Sequence, residues 1–361
     1  MDNEDILRKQ FNNVIDSDSL IDLYKFGDEL SNGLTNNFTL DNLFNAMLEG
    51  ENIFNNTQMI NNIKELFFYE IKGAILLGIE IMTICIAIGL LKNLSSSLGQ
   101  QSISDISLMV CTMIIIGISI NSFKISYNLA IDSVNTMAYT MGIMAPILLG
   151  ILVATGNITS GTILSPMIIG SVSGMAFILK SLILPTMFAS TILSMINSLT
   201  EKNYVNKLSK LLRNAAVVVT GLLLVILTGI ITLQGLLTDT TDNLLISTAK
   251  FSLSTFIPIV GNFTSDTVEL FLRCMSSIKS VTGVFGIIFL LILILVPIIK
   301  IIATAIVYKV IAAFTEPIAD TKISSGLNDM GTCLISIGSI MFFTALLFIM
   351  FITTIMKVGG N

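Results

Sequence analysis

The chain has 361 residues, 53% of them hydrophobic and 12% charged, with a mean hydropathy of +0.87. Soluble domains carry about 25% charge, so this composition excludes an ordinary soluble domain and predicts an all-α polytopic membrane protein. A net charge of −5 and the absence of histidine exclude a basic nucleic-acid footprint, an imidazole base and a histidine-ligated metal.

Taken in chain order, the first region, 1–72, is acidic. Residues 1–70 hold 13 of the 24 acidic residues and 4 of the 19 basic ones, a net of −9. Short amphipathic helices are predicted here, one behind Asp16-Ser17-Asp18-Ser19, which can cap an N-terminus, and one through Leu40, Leu43, Phe44 and Met47. Met1 is followed at once by Asp2-Asn3-Glu4-Asp5, so no signal peptide is visible.

The membrane domain, 73–361, contains six apolar runs that meet the ~20-residue requirement for a transmembrane helix. They are 73–91, 106–126, 162–198, 215–236, 281–314 and 332–356. Two of them exceed what a bilayer needs and are expected to tilt, or to kink at Pro185 and Pro297. The interfacial aromatics must be Tyr and Phe, because there is no Trp.

Between the spans lie two interrupted apolar segments, 128–158 and 243–279. Each carries a proline followed by glycine (Pro146 to Gly150, Pro258 to Gly261) and then reaches a Gly-Asn-x-Thr-Ser turn, at Gly156-Asn157 and Gly261-Asn262. Both predict helical hairpins. Three arrangements satisfy the pattern: a re-entrant hairpin, an amphipathic hairpin on the membrane surface, or two ordinary spans. Inside a bilayer such a turn must be covered by protein or line water, because its backbone groups need partners.

The two segments are expected to belong to an internal parallel repeat, with one copy over about 103–198, the second over about 215–314, and 332–356 as a final span. Pro146 and Pro258 are 112 positions apart, as are Pro185 and Pro297, Gly117 and Gly229, and Gly174 and Gly286. Duplicated membrane modules are a common way to build transporters and channels.

Orientation follows from Lys and Arg. The loop 199–214, with Lys202, Lys207, Lys210 and Arg213, is expected on the cytoplasmic side, which puts both hairpins and the acidic region across the membrane. Arg273 and Lys279 then fall on the far side, against the rule. An extracytoplasmic head needs export, and a missing signal peptide is the better explanation of Met1.

Two charges fall inside spans, Glu80 and Lys180. Ionised side chains facing lipid are costly, so either the two line a polar pathway, or they form a structural pair, or the lysine snorkels. In the second hairpin Asp266, Glu269 and Arg273 share one helical face, read as a solvated stripe or as a docking or pore-lining one. Cys85, Cys111, Cys274 and Cys333 are far apart in apolar runs and have no metal spacing. No nucleophile–base pair, phosphate loop or dinucleotide motif is present, so no enzyme activity and no cofactor are expected. A secondary transporter with a site where the hairpins meet, and a non-conducting membrane anchor, both fit this inventory.

The second hairpin reads Lys250-Phe-Ser-Leu-Ser-Thr-Phe-Ile-Pro-Ile-Val-Gly261, and a further stretch runs from Phe314-Thr-Glu-Pro-Ile-Ala-Asp320 to Leu327-Asn-Asp-Met-Gly331. Both resemble the stage III sporulation protein AE family of endospore-forming Firmicutes, from the acidic head to the final span. The resemblance implies a protein of the mother-cell membrane around the engulfed forespore. It implies a complex likened to secretion machinery, with other stage III sporulation A-complex proteins and a forespore membrane partner as neighbours. It implies a channel or export-gate role that feeds or signals to the forespore, with the N-terminal region in the intermembrane space and self-association open. Family members begin with a signal peptide, and this chain departs there. No active-site residue carries over.

Overall fold

The structure, a computed structural model, describes residues 57–98, 101–155, 157–199, 204–256, 261–318 and 321–358. Within them the secondary structure is helical. The helices are α1 (Thr57–Leu98), α2 (Gln101–Ala154), α3 (Ile158–Ile178), α4 (Leu184–Leu199), α5 (Asn206–Phe256), α6 (Gly261–Thr315) and α7 (Thr321–Lys357), with a π-helical turn at Leu179–Ile183 joining α3 to α4. Gly156 and Pro258 lie outside the described residues. The side chains of Asn262, Asp266, Glu269 and Arg273 do too, although their backbone is helical within α6.

Among the described residues, six helical segments are long and apolar enough to cross a membrane, at Phe68–Leu90, Met109–Ala154, Pro166–Ser198, Asn206–Thr232, Cys274–Thr315 and Thr321–Lys357. This is the all-α polytopic architecture that the composition predicts. The boundaries differ from the sequence reading in one systematic way: the hairpin arms are not separate helices. The arm 128–154 is continuous with the preceding span in α2, the arm 243–256 with that in α5, and the arm 261–279 with the following span in α6.

The cause is visible in α2. Asn128, Asp132 and Asn135 interrupt the apolar run in sequence, but they fall on one exposed face. The other face continues unbroken through Phe123, Ala130, Val134, Met137, Met141, Met144 and Leu148, all buried at spacings of three, four and seven. A helix packed along its whole apolar stripe has no reason to stop. Pro146 sits inside α2 on the exposed face. It removes the N–H that would bond Gly142's carbonyl, and Gly142 is exposed as well, so that carbonyl keeps access to outside partners.

Pro185 acts differently. The π-helical turn immediately precedes it, which is one way a helix absorbs a missing backbone donor. Pro297, at the paired position, lies within α6 with no such break. Lys180 belongs to the π turn.

The core runs between α2, α4, α6 and α7. It includes Met141, Met144, Leu179, Met187, Leu290, Ile301, Leu334 and Phe348. Helix α7 is its centre, with most of its length buried against α6, α2 and α4. At the α2–α3 turn, Gly161 comes so close to Val153 that a Cβ would push the valine side chain aside.

Candidate functional site

Buried polar groups inside an apolar bundle are the informative positions, because each needs a partner there. At the end of the bundle where the α4–α5 and α6–α7 connections lie, polar residues from three helices converge. A cavity of about 300 Å³ is lined there by Ser194, Asn197, Ser198, Asn206, Lys322 and Asp329, among others. Its innermost α7 residue, Asp329, accepts a hydrogen bond from the Ser194 hydroxyl at 2.8 Å. Arg213 of α5 stands behind it, 3.6 Å from the carboxylate and within reach of the Cys333 sulfur. Both ionic side chains are mostly covered, at 13% and 15% exposure, so the pair is only weakly screened.

Local sequence explains this convergence. Lys322, Ser325 and Asp329 recur at three and four along α7 and face one way, while Ile323, Leu327, Met330 and Leu334 occupy the buried face. The Asn206 side-chain oxygen is buried with no protein partner, an acceptor directed into a polar cavity. The arrangement can hold a small polar solute or water against one carboxylate and one ammonium. It has no nucleophile poised on a base.

A second, larger space differs in kind. A groove of about 550 Å³ lies between α1 and α6, walled by Ile75, Gly78, Ile79, Val307, Ile311 and Phe314. Its walls are almost wholly apolar and suit hydrocarbon rather than a polar cargo. Beside it, Lys300 pairs with Glu70 at 3.4 Å.

The residues singled out in the sequence are not brought into one place. Glu80 is exposed on α1, and Lys180 is half-buried in the π turn. The inter-helix ion pairs among the described residues join other partners. Pro146 and Gly150 share the exposed face of α2. Asn157 is buried at the α2–α3 turn, where its amide donates to the Thr155 hydroxyl at 2.9 Å and its side-chain oxygen has no protein partner. Gly261 opens α6.

Several polar residues escaped the sequence reading. Arg213 counts there only as a loop charge, and Asp329 only as one residue of a familiar stretch; nothing in either neighbourhood signals that they meet across 116 positions. Lys279, which seemed to violate the positive-inside pattern, is fully buried and donates to the Val358 carbonyl. It lies within α6, packed against the end of α7, and is not a loop charge. Tyr308 is buried and donates to the Ser119 carbonyl at 3.4 Å, tying α6 to α2.

Comparison with known proteins adds a family. The family model described as Stage III sporulation protein AE matches residues 38–359. A Bacillus subtilis (strain 168) protein named Stage III sporulation protein AE is 27% identical over 316 residues, covering 87% of this chain and 78% of that protein. No solved structure matches.

Proposed function

Since the chain belongs to the stage III sporulation protein AE family, we propose that it is a membrane-embedded channel or export-gate component of the complex between mother cell and forespore. In this reading it moves small molecules or supports signalling toward the forespore. It sits in the mother-cell membrane around the forespore, with its N-terminal region in the intermembrane space. Its partners are the other stage III sporulation A-complex proteins and a forespore membrane protein, and it catalyses no reaction.

The observation that carries the gate reading is the polar cavity closed at its inner end by Ser194, Asp329 and Arg213. A concave, charged recess offers a polar solute a place to sit, which the gate reading uses and a pure anchor does not require. Placing the basic 199–214 loop in the cytoplasm puts this recess on the mother-cell side.

Helix length supports a further element of the reading. The run from Ile158 through the π turn to Leu199 has 42 residues, about 63 Å at 1.5 Å per residue. A bilayer with its headgroups is about 40–45 Å thick. In this reading the excess length carries the α2–α3 turn beyond the membrane toward the intermembrane space rather than back within it. The two helix pairs, α2 with α3–α4 and α5 with α6, are read as the two copies of the repeat. In that reading the π turn and Lys180 belong to the first copy alone.

Reconstitution tests the proposal. Purified chain in liposomes is expected to pass no solute alone and to do so when its complex partners are added. Flux by the isolated chain would make it a transporter in its own right. No flux with partners present would reduce it to an anchor.

A further inference from the structure

We infer that one exposed stripe of α2 faces water within the plane of the membrane and forms a wall of a hydrated path for small polar or ionic solutes. The stripe runs through Gly117, Asn121, Lys124, Asn128, Asp132 and Asn135. Spacings of four, three, four, four and three put these residues on one side of the helix, and all six are exposed. The inference deepens the channel reading above.

Depth is what makes the stripe informative. Tyr308 donates to the Ser119 carbonyl, so Ser119 lies level with a residue two turns from the end of α6 at Thr315. That is about 10 Å inward from that end. Asn121, Lys124 and Asn128 then lie roughly 13 to 24 Å in, and Asp132 near 30 Å, against a hydrocarbon core about 30 Å thick. Over this depth Lys72 on α1 is exposed and Lys300 pairs with Glu70, but exposed hydrocarbon lines other faces, such as Leu295 and Ile302 on α6 and Phe342 on α7. Those faces suit lipid.

The α2 face does not suit it. Intramembrane charges are disfavoured against lipid and collect at protein interiors or water-filled cavities. Three asparagines cannot snorkel to an interface at all, and Lys124 lies on the face they share. Lys124 and Asp132 stand two turns apart, about 12 Å along the helix, so they do not neutralise each other as a contact pair.

Water fits better than a dry contact with a second copy. Copies of this chain inserted in one sense around an axis would set Lys124 against Lys124 and Asp132 against Asp132. Like charges at one level repel in a dry seam, whereas a hydrated lumen screens them.

Cysteine labelling of the full chain tests this. Cys85, Cys111, Cys274 and Cys333 are first replaced by alanine. Single cysteines are then placed at the stripe (Asn121→Cys, Lys124→Cys, Asn128→Cys) and at apolar exposed positions (Ile302→Cys, Phe342→Cys). All five positions are exposed, and each variant's level is read in the membrane before labelling. If removing all four cysteines lowers that level, the single cysteines are read in the native background against the unsubstituted chain.

A charged, membrane-impermeant methanethiosulfonate is expected to modify the stripe positions at least tenfold faster than the apolar ones in intact vesicles. Equal protection of both sets would overturn the inference. So would efficient disulfide formation between copies at Asn121→Cys with no labelling, which would reveal a dry seam. Labelling without any solute flux in the reconstituted complex would leave the stripe hydrated while removing the channel reading. Flux with a protected stripe would keep the channel and overturn the inference.

Discussion

Ser190 and Ser209 clasp each other across the α4–α5 connection. The Ser190 hydroxyl donates to the Ser209 carbonyl at 2.7 Å, and the Ser209 hydroxyl donates back to the Ser190 carbonyl at 2.8 Å. Both side chains are buried. The clasp holds α5 so that Arg213, one turn further along, reaches Asp329 on α7.

Removing this clasp should loosen the protein modestly. Interhelical hydrogen bonds in membranes average about 0.6 kcal/mol, and two are shared here. Ser190→Ala and Ser209→Ala are each expected to lower the thermal midpoint in detergent by a few degrees. The double variant should lose about 1 to 2 kcal/mol. A double variant as stable as the native chain would show that the clasp does not form.

Breaking one side of the Arg213–Asp329 pair is a larger change, because it leaves a mostly covered charge alone. Loss of one partner of a buried pair costs about 3 to 5 kcal/mol. Asp329→Ala and Arg213→Ala should each reduce the amount of protein in the membrane, read by immunoblot. Arg213→Met combined with Asp329→Leu should restore that amount, since an apolar replacement of the whole pair is often neutral. Spore yield should stay low in the combined variant if the pair serves the gate. A normal yield would leave the pair a structural role only.

Gly331 marks a close approach of α7 to the backbone of α6. A Cβ there would lie 2.9 Å from the Ala305 carbonyl oxygen and 2.8 Å from Lys309 Cγ. The carbonyl belongs to helix backbone and cannot move aside. Gly331→Val should therefore destabilise by roughly 1 to 3 kcal/mol, the usual range for overpacking. Gly221→Ala, which meets nothing within 4 Å, should be neutral or slightly stabilising because alanine favours helix. Unfolding curves for the two variants give the comparison.

The proposed projection of the α2–α3 turn makes a topological prediction. Thr162 is exposed near the start of α3, before the apolar span that begins at Pro166. Lys210 is exposed near the opposite end, on α5. In a chain without its native cysteines, Thr162→Cys should react with an impermeant maleimide only from the non-cytoplasmic side, and Lys210→Cys only from the cytoplasmic side. Protection of Thr162→Cys from both sides would place the turn within the bilayer and remove the projecting arm.

Composition and periodicity were enough to establish a helical membrane protein with six spans. Transfer of apolar side chains from water depends on residue type and run length, both of which are local. The familiar stretches at 250–261 and 314–331 led correctly to the family. Helix continuity was legible only to a reader who projected Asn128, Asp132 and Asn135 onto a face rather than along a line, because the buried stripe of α2 never breaks. The pairing of Arg213 with Asp329, the burial of Lys279 and the separation of Glu80 from Lys180 were decided by tertiary packing alone. A charge's partner depends on which helices meet and at what height, and no local pattern of apolar residues encodes that.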